Sequence, residues 1–231
     1  MAPTVRSTLS IRSPSTESAG ATARRRLLIA LAAAPLAACG RKSPQYAAIP
    51  AGSTVLALGD SLTFGTGAAA EAAYPARLAE LTGWSLVNGG VPGNTSAQAR
   101  ERLAALLAEH APKAVLVSIG GNDFLRQLPE AETRTNIAAM LDEIRAAGAQ
   151  PVLIAVPRPA VMAALLGSLD DHPLYEVLAE ERRVPLFAAG WAKVLSDPRL
   201  KADQIHANAA GYERFARELH GYLRETGIAP R

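Results

Sequence analysis

Residues 55–65 read VLALGDSLTFG. An apolar run, Val55 to Leu58, stops at Gly59-Asp60-Ser61, and Leu62-Thr63 lead on to Phe64-Gly65. A short apolar run bounded by turn residues reads as a buried strand. The residues that end it admit two readings. Asp60 and Ser61 both suit a turn followed by a helix N-cap. A serine at the lip of a buried strand is also where a nucleophile would stand. The tripeptide does not separate them, so the rest of the chain has to.

Outward from this strand the pattern alternates. Thr54–Leu58, Trp84–Asn88, Ala114–Ile119, Pro151–Val156 and Pro185–Phe187 read as strands. Helical spacing predicts helices over Tyr74–Leu81, Ser96–His110, Glu130–Ala147, Val161–Ser168, Leu174–Arg182 and Ala207–Thr226, with a helical turn at Ala189–Leu195. Apolar strands separated by helices imply a parallel sheet covered on both faces. The expected fold is α/β: a three-layer, doubly wound, flavodoxin-like arrangement of five parallel strands in the order 2-1-3-4-5. Its switch point lies between strands one and three, so ligands are expected beyond Leu58 and Ile119.

The chain has 231 residues, and its start reads as a leader. Residues 1–38 carry Arg6, Arg12, Arg24, Arg25 and Arg26 against a single acid, Glu17, and close on the apolar run Leu27–Ala38. That run is too short for a bilayer span of ~20 residues. A basic region, a short apolar core and small residues at its end describe a secretory signal peptide. Leu36-Ala37-Ala38-Cys39-Gly40 resembles the lipobox of bacterial lipoproteins, which implies a lipid anchor on Cys39, the chain's only cysteine. Residues 39–50 then read as anchor and tether, and residues 51–231 as one folded domain. Export to the periplasmic side of a bacterial membrane follows. Gly40, in place of the aspartate that would suggest inner-membrane retention, favours the outer membrane. Without the leader, 19 basic groups face 20 acidic ones, so nothing in the charge points to nucleic acid.

Three polar loops should meet at the switch point. They carry Gly59-Asp60-Ser61, the segment NGGVPGNTS from Asn88 to Ser96, and Gly120-Gly121-Asn122-Asp123. Backbone N–H groups and an Asn amide beside a serine hydroxyl are what an oxyanion hole requires, although turns after strands are also rich in Gly and Asn. A serine needs a base. Of the four histidines, His110 closes a helix, His172 follows Asp170-Asp171 in a surface loop, and His220 faces solvent from the last helix. His206, in KADQIHANAAGY, has Asp203 three residues before it. In a turn that spacing lets the carboxylate hold Nδ1–H and leaves Nε2 for the serine. The same segment also suits a loop that caps a helix through Asn208.

Gly59-Asp60-Ser61-Leu62, Gly93 in VPGNTS, Gly120-Gly121-Asn122-Asp123 and Asp203-x-x-His206 resemble, in order, the four sequence blocks of the SGNH (GDSL) hydrolases, nearest the thioesterase I/arylesterase/lysophospholipase subgroup. The resemblance runs from about Ser53 to Leu223. It implies Ser61 as nucleophile, His206 as general base and acid, and Asp203 as the orienting carboxylate. It implies an oxyanion hole from the Ser61 and Gly93 N–H groups and the Asn122 side chain, with no metal or cofactor. Gln204 and Ala207 depart from the Gly and Pro usual around the histidine, which bears on the loop's geometry. The function expected is a lipid-anchored, monomeric serine esterase acting on small acyl esters, thioesters or lysophospholipids. Two other readings stay open: an O-acetyl esterase acting on a cell-envelope glycan, and a lipoprotein that binds a ligand without catalysis. The apolar insert PRPAVMAALLGSLDDHP, Pro157 to Pro173, with Val161, Met162, Leu165 and Leu166, suits an acyl-chain groove or a core helix equally.

Overall fold

The computed structural model describes residues 46–158 and 168–230. The leader, Cys39 and the predicted helix through Val161, Met162, Leu165 and Leu166 lie outside the described residues.

Five strands form one parallel sheet: β1 (Thr54–Gly59), β2 (Ser85–Gly90), β3 (Ala114–Ser118), β4 (Gln150–Ile154) and β5 (Leu186–Phe187). Their order is β2-β1-β3-β4-β5, the order expected from the sequence. Every residue of β3 is buried. Side chains alternate across a strand, so helices must cover both faces. The helices are α1 (Ser61–Phe64), α2 (Tyr74–Thr82), α3 (Ser96–His110), α4 (Gly121–Leu125), α5 (Glu130–Ala146), α6 (Leu174–Arg182), α7 (Gly190–Ser196) and α8 (Ala209–Glu225). No helix among the described residues is long and apolar enough to cross a membrane.

Helices α2, α7 and α8 pack around an aromatic cluster. The rings of Trp191 and Phe215 stack 3.6 Å apart, and Tyr74 meets Phe215 edge-on at 5.0 Å. Trp191 Nε1 donates to Ser118 Oγ at 3.1 Å, and the Tyr74 and Thr63 hydroxyls lie 3.3 Å apart, so this cluster underpins the strand ends that carry the site. On α3, Thr95 and Gln98 form a reciprocal capping box that fixes where the loop after β2 becomes helix.

Two differences from the sequence reading are physical. The short helices α1 and α4 replace what reads as loop, because one turn of helix is too brief to display a 3.6-residue period. Residues before Ala51 also belong to the folded unit. Ile49 is buried, its N–H donates to Ile228 O at 2.8 Å, and its carbonyl accepts Trp84 Nε1 at 3.0 Å.

Candidate active site

Strand β1 ends on Gly59 for a steric reason: a Cβ there would lie 2.1 Å from Thr63 Oγ1 and 2.5 Å from Ser118 O. The chain turns at Asp60, whose Oδ1 accepts the Leu62 N–H at 3.0 Å and caps α1. Ser61 is therefore the first residue of a one-turn helix standing on the sheet's carboxyl edge. The Gly65 and Thr66 N–H groups, each 3.0 Å from Ser61 O, close that turn. Asp60 is an N-cap, as one reading of the tripeptide has it, and Ser61 Oγ meets a histidine ring.

The imidazole that meets Ser61 comes from the loop before α8. Asp203 Oδ1 accepts the N–H groups of Ile205 and His206, each at 2.8 Å, which folds the segment into a tight turn. Asp203 Oδ2 lies 2.7 Å from His206 Nδ1, and His206 Nε2 lies 2.9 Å from Ser61 Oγ. A carboxylate only accepts, so Nδ1 carries the ring proton and Nε2 is left to accept from the serine hydroxyl. Burial alone would raise the Asp203 carboxyl, but its bonds to the His206 ring and the two turn N–H groups outweigh it and hold the group below the ordinary value. The departures at Gln204 and Ala207 do not open this turn. Ala207 is buried and pairs with Lys201, and Asn208 caps α8 through Gly211 N at 3.0 Å.

Asn122, near the start of α4, donates from Nδ2 to Asn94 O at 3.0 Å and lies 3.4 Å from Asp60 Oδ2. Gly93 stands in the adjoining loop at φ +80°, and its carbonyl accepts Arg126 Nη2 at 2.9 Å. Among the described residues, no backbone group accepts the Ser61 or Gly93 N–H. The structure thus joins Ser61, His206 and Asp203 in one hydrogen-bonded chain, and it places Asn122 against Asp60, the residue before Ser61, and Asn94, the residue after Gly93.

Other residues hold these loops, in roles that no local pattern marks. Arg102, on the surface of α3, reaches back with Nη2 to Gly59 O and with Nε to Asn94 Oδ1, both at 2.9 Å. Asp123, buried, accepts the Ser96 N–H at 2.8 Å, the Ser96 hydroxyl at 2.5 Å and the Thr133 hydroxyl at 3.2 Å. Asp60 is also buried, and the lost hydration of its charge pushes its pKa up to about 6, against the opposing pull of the Leu62 N–H and His206.

Two histidines differ from their reading. His172 is half-buried: its ring stacks 4.1 Å from that of Phe124, and burial pushes its pKa down. His220 is half-buried, not solvent-facing. Five of the exposed large apolar side chains, Phe64, Val91, Leu125, Leu128 and Ile205, sit on the segments that carry the site residues. Among the described residues no cluster of His, Cys, Asp or Glu is arranged to hold a metal ion.

Residues 57–214 match the GDSL-like lipase/acylhydrolase family, and the chain belongs to it. It is 37% identical over 163 residues to thioesterase 1/protease 1/lysophospholipase L1 of Escherichia coli strain K12, covering 68% of this chain and 77% of that relative. It is 33% identical over 172 residues to esterase TesA of Pseudomonas aeruginosa, covering 71% and 85%. The fold matches the crystal structure of the psychrotrophic esterase EstA from Pseudoalteromonas sp., inhibited by monoethylphosphonate, with a TM-score of 0.65, 25% identity and coverage of 74% and 97%. The chain is an esterase/acylhydrolase of the SGNH type.

Proposed function

We propose that this protein is an exported, lipid-anchored serine esterase with Ser61, His206 and Asp203 as its catalytic triad. Ser61 Oγ attacks the carbonyl carbon of an acyl ester while His206 Nε2 takes the hydroxyl proton. Asp203 keeps Nδ1–H in place and steadies the imidazolium. The carbonyl oxygen, now negative, rests against the Ser61 and Gly93 N–H groups and Asn122 Nδ2. Collapse breaks the bond to the alcohol, which leaves with the proton that His206 returns. Water then attacks with the same base, and the acid departs as Ser61 regains its proton. The observation that carries this reading is a single imidazole spanning 2.7 Å to a carboxylate and 2.9 Å to a serine hydroxyl.

The substrates proposed are small carboxylic esters with apolar acyl groups, with thioesters and lysophospholipids in the same class. Exposed Phe64, Val91, Leu125, Leu128 and Ile205 favour an acyl chain over the acetylated sugar of an envelope glycan. The name of the Escherichia coli relative points the same way. Cys39 following a basic, apolar leader supports lipidation, export and a place on the periplasmic side, at the outer membrane, with the enzyme working as a monomer. An intact serine, histidine and carboxylate in contact argue against a purely ligand-binding role.

Covalent labelling tests the assignment. A fluorophosphonate probe should label the purified wild type and leave Ser61→Ala unlabelled, in line with the phosphonate inhibition of the structural relative. Equal labelling of that variant would reject Ser61 as nucleophile. Labelled palmitate should enter the wild type but not Cys39→Ala, and incorporation in both would reject the anchor at this residue.

A further inference from the structure

Two carboxyl groups are buried at the site, and they differ in their partners. Asp123, 2% exposed, has three donors within ordinary hydrogen-bond distance. Asp60, 3% exposed, has one such donor, the Leu62 N–H on Oδ1. Among the described residues, its Oδ2 meets only the long 3.4 Å approach of Asn122 Nδ2. A buried carboxylate with half its acceptors poorly satisfied costs stability, and burial is an uncommon place for an N-cap. A serine or asparagine could supply the same cap to Leu62 at less cost.

The placement of Oδ2 has a consequence for Asn122. An amide nitrogen has two hydrogens and no acceptor capacity. With Asn94 O on one side and Asp60 Oδ2 on another, only nitrogen fits facing both, because the amide oxygen would meet two acceptors. The 3.4 Å separation is long, so the second hydrogen is only weakly engaged and can be shared with a stronger acceptor while the first stays on Asn94 O. Asp60 also directly precedes Ser61, whose Oγ lies 2.9 Å from His206 Nε2.

We propose that Asp60 is a positioning residue for the reaction: Oδ2 keeps the Asn122 amide aimed with nitrogen toward the oxyanion, and the Asp60 anion supports the positive charge that His206 acquires when it takes the serine proton. This rests on the esterase mechanism proposed above. The charged and titratable groups around Asp60 are His206, Asp123, Tyr74, Tyr175 and Tyr212. Of these His206 favours the anion and Asp123 opposes it. An anion one residue from the serine favours a cation on the imidazole that contacts that serine.

The test uses Asp60→Asn and Asp60→Ser. Serine keeps an acceptor for the Leu62 N–H and so separates the cap from the charge. Two readouts are needed: the pH profile of kcat/KM on p-nitrophenyl esters, and the NMR titration of the His206 ring without substrate. Both variants should lose about 10- to 100-fold in kcat with little change in KM, the range below that of a lost oxyanion donor. Their acid limb should carry one protonation where the wild type carries two. In each variant the His206 ring should titrate at lower pH than in the wild type, as expected when an opposing charge is removed. Folded variants with wild-type kcat overturn the proposal. So do variants that lose kcat while the acid limb and the ring titration stay where they were, since that marks a structural cap alone. If the wild type hydrolyses no ester and yet the ring titration moves, the esterase reading fails and the Asp60–His206 coupling stands.

Discussion

Ser61 Oγ and His206 Nε2 are 2.9 Å apart in the fold and 145 positions apart in the chain. Nothing local joins them. The sheet order sets β1 between β2 and β3, and Ser61 follows its carboxyl end. The turn made by Asp203 and the cap made by Asn208 hold His206 over it. Tyr212, on α8, ties the two segments by donating from its hydroxyl to Thr66 O at 2.7 Å.

Asp203→Asn should fold, because an amide oxygen can still accept the turn N–H groups. Its Nδ2 cannot accept from His206 Nδ1–H, so the ring would turn its tautomer and lose the free Nε2. We expect kcat on p-nitrophenyl butyrate to fall about 10⁴-fold, the size associated with loss of the orienting carboxylate. A fall of less than tenfold would remove Asp203 from the mechanism.

Asn122→Ala deletes one oxyanion donor and leaves the triad intact. Steady-state kinetics should give a kcat lower by about 10²–10³-fold with KM within a few-fold of wild type. A large rise in KM at constant kcat would mean that Asn122 binds substrate in its ground state instead.

The buried Asp60 gives a pH signature in stability. Its pKa is raised from 3.8 unfolded to about 6 folded, so the folded chain holds the proton more tightly. The contribution to stability is therefore fully present below the unfolded value and is lost as pH rises through about 6. Asp60→Asn has no such term. Between pH 4 and pH 8 its stability should rise relative to wild type by about 3 kcal/mol, at 1.36 kcal/mol per unit of pKa. Urea melts at the two pH values measure this, and a difference independent of pH would contradict it.

Gly59→Ala should disturb stability and activity together. The new Cβ would press on Thr63 Oγ1 and on Ser118 O, and the latter belongs to the backbone of β3 and cannot swing away. A loss of about 1–3 kcal/mol is expected from overpacking, with kcat reduced because Ser61 stands two residues on. Thermal melts and kinetics on the same preparation check both.

The strands were legible in the sequence because β1, β3 and β4 are apolar runs buried on both sides and bounded by Gly or Pro: Gly52 and Gly59, Pro112 and Gly120, Gly148 and Pro157. The order of strands followed from the usual winding of such sheets. Ser61, Gly93, Asn122, Asp203 and His206 were legible because they fall in four short blocks with a recognisable order. Arg102 was not. On α3 it has the spacing of a solvated charge, and only the fold, 43 residues from Gly59, turns it inward. Asp60 reads as an ordinary cap, since burial depends on helices that arrive later in the chain. His172 follows two aspartates and reads as surface, yet Phe124, 48 positions away, covers it. Those are properties of packing between distant segments, which no local pattern carries.

The claim that Ser61 and His206 act as one unit is tested most directly by the kinetics of Ser61→Ala, His206→Ala and the double variant on a single p-nitrophenyl ester. Each single change should lower kcat by about 10⁴-fold or more, and the double change should cost hardly more than either alone, as residues that work together behave. Full activity in Ser61→Ala, or costs that multiply in the double variant, would contradict it.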